Sequence, residues 1–143
     1  MPRPGIGWGM LILALVLSAI CVVVAAIHLL WALGRWFPLG DERRMVAAVV
    51  GFREATRMPG PIPCSLVVVA LLFAASAPWW GDGMVRQVIL WASAAVFGAR
   101  GVLAYTRWWR WLTPQEPFAS NDRRYYGPMC LLLSAGYLVL AMN

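Results

Sequence analysis

The chain has 143 residues, of which 62% are hydrophobic and only 13% charged, whereas a soluble domain carries about 25% charged residues. That is enough chain for one small domain, and the apolar residues fall in runs too long for a soluble fold of this size to hide. The formal net charge is +6 and all 12 basic residues are arginine; they lie between the apolar runs, which points to an anionic lipid surface and, with no helix-turn-helix, zinc or RNP pattern present, away from nucleic acid.

Between Arg3 and Arg35 no side chain is charged at neutral pH, and His28 is the one titratable interruption. These 31 residues exceed the ~20 that cross a hydrocarbon core. The run predicts helix 1 at about residues 9–33. It is too long for the apolar region of a signal peptide, and no small-x-small cleavage site closes it.

The next segment, Gly34 to Arg57, is not a span. Its stretch Met45–Phe52 is apolar but too short to cross, with Met45, Val49 and Phe52 on one helical face. It reads as an interfacial or re-entrant segment at about 41–57. Pro59, Pro61 and Pro63 then mark the entrance to helix 2, since proline suits a first helical turn. Helix 2 is predicted at about 63–79, ending at the belt-like pair Trp79-Trp80.

Helix 3 is predicted at about 84–109, with Arg86 at one end and Arg100 inside. Residues from about 111 to 126 read as loop because of Thr113-Pro114 and Glu116-Pro117. Helix 4 is predicted at about 127–142, with Pro128 in its first turn. The chain is therefore expected to be all-α, an integral membrane bundle of four transmembrane helices in a single membrane domain, 1–143. Small residues four apart, such as Ala14 and Ser18 or Ala94 and Gly98, would let helix backbones approach closely in lipid.

Arginine is concentrated in the loops after helices 1 and 3, while the opposite side has Arg3 and Arg86. By the positive-inside rule the rich loops are cytoplasmic and both termini lie outside.

Cys21, Cys64 and Cys130 form no C-x-x-C pair and are read as packing residues. A lone histidine is not a metal site, and neither metal nor cofactor is expected. No predicted span contains Asp or Glu, which leaves a carboxylate proton relay unsupported. Nucleotide-binding, metalloprotease and hydrolase motifs are missing. Without an inverted repeat, four helices make a poor secondary transporter.

Three groups of residues can carry chemistry. His28, Trp31 and Arg35 have spacing i, i+3, i+7 and share a face if helix 1 persists that far. His28 can shuttle a proton or hold a head group, or simply bond a neighbouring helix. Arg100 follows 13 uncharged residues, at a depth that costs at least ~2.5 kcal/mol unless it snorkels or finds a partner. Asn121, Asp122, Arg124 and Tyr126 adjoin the start of helix 4. Asp122 is the acid best placed to pair with Arg100 or His28, whereas Asn121 or Asp122 can instead cap the helix. Tyr126 can anchor at the interface and Arg124 can serve as a topology signal. All three groups converge on one membrane face.

These residues also carry a resemblance. The run His28-Leu29-Leu30-Trp31-Ala32-Leu33-Gly34, the set Asp122, Arg124, Tyr126, Pro128 and Cys130 at steps of two, and Arg100 together resemble a family of small four-span bacterial membrane proteins catalogued as a domain of unknown function. The resemblance implies a bacterial cytoplasmic (inner) membrane location and supports these residues as the site. Members often carry a Gly-Asp pair after the helix 3 arginine, where this chain has Leu103-Ala104.

The expected function is binding of a membrane lipid or isoprenoid-like molecule between the helices. Trp31, Arg35, Arg100, Asn121, Arg124 and Tyr126 would hold it. If the protein is an enzyme, His28 and Asp122 would exchange protons in an isomerisation or cyclisation. The alternative is a non-catalytic subunit or assembly factor that packs against partner helices, or a homo-oligomer.

Overall fold

The computed structural model describes residues 7–143; Arg3 lies outside the described residues. Among the described residues all regular structure is helical. Helix α1 is Trp8–Ala32. A short helix α2, Glu42–Met45, continues as a π-helical turn, Val46–Val50. Helix α3 is Pro61–Ser76, extended by a 3-10 turn to Trp79, and α4 is Met84–Leu103. Helix α5 is Arg107–Leu112. Helix α6 runs Phe118–Met142 with a π-helical turn at Asp122–Tyr126.

The helices pack as two close antiparallel pairs, α1 on α3 and α4 on α6, with thinner contacts joining the pairs. Small residues make the second pair close. A Cβ on Gly98 would meet Ser134 Oγ at 2.9 Å, and one on Gly101 would meet the Leu131 side chain at 2.7 Å. The core that joins the four helices includes Leu17, Cys21, Leu71, Leu90, Leu133 and Tyr137. Its few hydroxyls are tied across helices, as apolar surroundings require. Tyr137 donates to the Ala74 carbonyl at 2.9 Å, Ser134 to that of Ala94 at 2.7 Å, and Ser18 to that of Ala75 at 2.7 Å.

Outside this core the helices present large apolar side chains, among them Val23, Leu66, Val69, Val88 and Leu132. Three helices are long and apolar enough to cross a membrane: Trp8–Ala32, Pro61–Trp79 and Phe118–Met142. At 20 residues α4 has the length but not the same apolarity, because Arg86, Gln87 and Arg100 interrupt it.

The structure redraws two boundaries and shows how a third is closed. Helix α1 stops at Ala32, one residue short of the expected 33, in a glycine-closed end. Gly34 takes φ +72°, its N–H donates to Trp31 O at 3.0 Å, and that of Arg35 donates to Leu30 O at 2.8 Å, the paired bonds that end a helix at a left-handed residue. The expected helix over 84–109 is two helices. Thr106 divides them: its hydroxyl donates to Leu103 O at 2.9 Å and accepts from Trp109 N at 3.2 Å, so it caps the start of α5. The last helix begins at Phe118, nine positions before the expected 127, so the second half of the expected loop is helical.

The segment after α1 folds over the end of the bundle. Met45, Val46 and Met58 form a small second core with Trp31, Trp36 and Val49 against it. Backbone bonds join this cap to the α5–α6 connection: Arg53 N donates to Leu112 O and Gln115 N to Gly51 O, both at 3.2 Å. The shared face expected of Met45, Val49 and Phe52 is broken. Gly51 takes φ +71°, and Phe52 turns outward to meet Trp109 edge-on at 5.7 Å.

Candidate functional site

Two polar features occupy the end of the bundle where α1 and α4 finish and α3 and α6 begin. The first is centred on Asp122, at the start of the π-turn in α6, whose side chain is fully buried. Arg100 Nη2 donates to Oδ1 at 2.6 Å; Trp109 Nε1 and Arg110 Nη2 donate to Oδ2 at 2.9 and 3.0 Å. The Arg100 guanidinium also lies over the Trp109 ring, 5.5 Å from its centroid. Two cations and one indole donor thus offset the cost of burying one carboxylate. Both oxygens are engaged, so the cluster holds α4, α5 and α6 together.

The second feature is a recess of about 150 Å³ between the end of α1, the start of α3 and the π-turn after α2. His28 and Trp31 line it from α1, Val49 and Val50 from the π-turn, and Met58, Pro59, Pro63, Cys64 and Val67 from the α3 side. The His28 and Trp31 rings lie 4.7 Å apart at a tilt of 54°. His28 Nδ1 bonds the Val24 carbonyl of its own helix at 2.8 Å. Trp31 Nε1 donates to Phe37 O at 2.9 Å, which ties the chain leaving α1 back over the helix end.

Tyr126 links the two features. Its hydroxyl donates to Ala48 O at 3.0 Å, and Ala48 sits in the π-turn whose Val49 and Val50 wall the recess. Phe118 packs under the same turn, so close to Gly51 that a Cβ there would stand 2.1 Å from Cδ1 of the ring.

The residues singled out from sequence separate accordingly. Of the two partners expected for Asp122, Arg100 is the one it meets, and His28 and Trp31 are together. His28 and Asp122 are not joined: among the described residues, the only hydrogen bond of His28 is to Val24 O. The proton exchange expected of that pair therefore lacks a contact. Arg35 leaves the face of His28 and Trp31, because α1 ends before it, and is exposed. Asn121 continues the first turn of α6, its N–H bonded to Pro117 O at 2.9 Å, and does not cap a helix beginning at 127. Arg124 is exposed, and its guanidinium covers the neighbouring Tyr125 ring at 5.4 Å.

Trp109 and Arg110 are the residues that sequence reasoning missed. They read as the tail of one long helix and as a loop-side positive charge. The available signal was Thr106, a capping residue three positions before Trp109. A new helix start there lets both side chains turn toward Asp122.

Residues 21–137 match the family model described as "Protein of unknown function (DUF3995)". No curated protein and no solved structure gives a match to the chain. The matched range includes His28, Arg100 and Asp122, hence both polar features.

Proposed function

The chain belongs to the family described as "Protein of unknown function (DUF3995)", and from that premise we propose that it is a four-span membrane protein that holds the head of a lipid-like or isoprenoid-like molecule in the His28 recess. The observation that carries this reading is the recess itself, about 150 Å³ with apolar walls and one imidazole among them. The spans are supported by the three long apolar helices and the outward apolar side chains. Helix α4 supplies the fourth: 20 residues extend ~30 Å, the thickness of a hydrocarbon core. Its Arg100 is compensated by Asp122, which removes the main objection to placing it in a membrane.

Orientation follows from charge. The recess lies at the end that has Arg35, Arg43, Arg44, Arg53, Arg57, Arg107 and Arg123 nearby in the chain, while Arg86 begins α4 at the other. That end faces the cytoplasm of a bacterial inner membrane, with both termini outside. The function is binding rather than catalysis. Asp122 has both oxygens engaged by donors, and among the described residues His28 has no acid or base partner with which to share a proton.

Native mass spectrometry of the protein released from mild detergent tests the reading. A small apolar molecule is expected to stay with the wild type and to be lost from Val67→Trp, which places an indole at the mouth of the recess, with helical content unchanged. A stoichiometric protein partner and no small molecule would replace this reading with that of a subunit or assembly factor.

A further inference from the structure

The walls of the recess also specify what kind of head they accept, granted the lipid-type reading above. The Val24 carbonyl can only accept, so the His28 Nδ1 that bonds it at 2.8 Å holds the proton. In the neutral ring Nε2 is then an acceptor, and no protein donor among the described residues reaches it. The other polar groups in the walls are already engaged. Trp31 Nε1 donates to Phe37 O at 2.9 Å, and the Cys64 thiol to Pro59 O at 3.7 Å. Among the described residues, no arginine, aspartate or glutamate lines the recess.

With the imidazole neutral, the recess therefore offers one unpaired side-chain acceptor and, among the described residues that line it, no cation and no unengaged side-chain donor. An anionic head would give up its hydration and receive no charge-matched partner in return. A neutral hydroxyl would donate to Nε2 and leave neither group unpaired. Size narrows the choice further. A cavity of roughly 150 Å³ accommodates a benzene-sized group and not a whole lipid. The mouth passes Pro59, Pro63 and Val67, which are exposed, so a tail would leave there into the surrounding apolar phase.

We infer that the His28 recess selects a neutral, hydroxyl-bearing head of about the size of one ring on an apolar tail, with the hydroxyl donating to His28 Nε2, and that it discriminates against the phosphorylated form of the same molecule.

Three probes with one tail test this on the full-length protein in maltoside micelles: 4-nonylphenol, nonylbenzene and 4-nonylphenyl phosphate, each titrated by calorimetry against empty micelles. The phenol is expected to bind about tenfold more tightly than either of the others, the factor that one well-made hydrogen bond supplies. His28→Phe keeps a ring and removes the acceptor; it is expected to bring the phenol down to the level of nonylbenzene. Val67→Trp is expected to weaken all three. Tighter binding of the phosphate, or equal binding of phenol and nonylbenzene, overturns the hydroxyl assignment while leaving the recess as an apolar site. Binding of none, or indifference of all three to Val67→Trp, overturns the recess as a site and this inference with it. The wild-type comparison decides between neutral and anionic heads even if His28→Phe fails to fold.

Discussion

Arg110 Nη2 stands 3.0 Å from Asp122 Oδ2, and the contact exists because α4 ends at Leu103 and α5 starts afresh at Arg107. Arg110 thereby joins Arg100 on the opposite oxygen, so one carboxylate holds three helices. Asp122→Asn would leave two partly buried guanidinium groups facing a neutral amide. Breaking a buried ionic cluster from one side costs about 3–5 kcal/mol, and the amide oxygen can still accept one bond, so a loss near the lower figure is expected. Arg124→Gln, an exposed site outside the cluster, should change stability by no more than about 0.5 kcal/mol. Unfolding midpoints in micelles compare the two. Equal effects would mean that the cluster does not hold the bundle.

Trp109 gives a finer test of the same cluster. Its Nε1 donates to Asp122 at 2.9 Å, while its ring lies beneath the Arg100 guanidinium and against Phe52. Trp109→Phe keeps much of the ring contact and removes the donor. A hydrogen bond to a charged group is worth about 1.5–3 kcal/mol, and a loss in that range is expected. Trp108, its exposed neighbour, has no such bond, so Trp108→Phe should be close to neutral. A stability loss confined to Trp108→Phe would show that packing of α5 against its surroundings, and not the indole N–H, is what matters there.

Two glycines separate backbone strain from crowding. Gly34 and Gly51 have nearly the same left-handed φ, +72° and +71°. Nothing lies within 4 Å of a Cβ built on Gly34, whereas one on Gly51 would meet Phe118 at 2.1 Å. Gly34→Ala should cost about 1 kcal/mol from backbone conformation alone. Gly51→Ala should add roughly 1–3 kcal/mol of overpacking. Equal losses in thermal unfolding would mean that Phe118 moves aside freely and that the cap is loosely seated on α6.

Much of this architecture was legible because charge is scarce. The uncharged run before Arg35 fixed α1, the prolines near 61 fixed the start of α3, and the 19 uncharged residues after Arg124 marked most of α6. Asp122 was legible as a partner for Arg100 or His28, since it is the acid nearest the expected helix start at 127, with Glu116 six positions farther back. What stayed hidden depended on local competition or on distance. Trp108, Trp109 and Trp111 are as apolar as a continuing helix would be, so the hydroxyl of Thr106 was outweighed by them. Pro114 and Pro117 read as loop, although a proline also suits the residue just before a helix. Gly34 was the visible sign that Arg35 would leave the face of His28. The separation of His28 from Asp122 had no local sign at all, because it follows from which helices pair: His28 belongs to the α1–α3 pair and Asp122 to the α4–α6 pair.

The Tyr126 hydroxyl crosses that division. It donates to Ala48 O at 3.0 Å across 78 positions in the chain, and Ala48 precedes two residues in the recess wall. Tyr126→Phe removes the bond to the cap, along with the hydroxyl's contact with Asn121 inside α6, and leaves the ring on Phe118, 6.0 Å away between centroids. A neutral hydrogen bond contributes about 0.5–1.5 kcal/mol, so amide protection over residues 46–51 should fall roughly two- to tenfold in hydrogen exchange. Amides around Tyr137, whose own hydroxyl bonds Ala74 in the bundle core, should keep theirs. Equal loss in both regions would mean that the cap and the bundle open as one unit. Confined loss would mean that the cap opens locally, and that the recess can admit a head group without disturbing the helices that hold it.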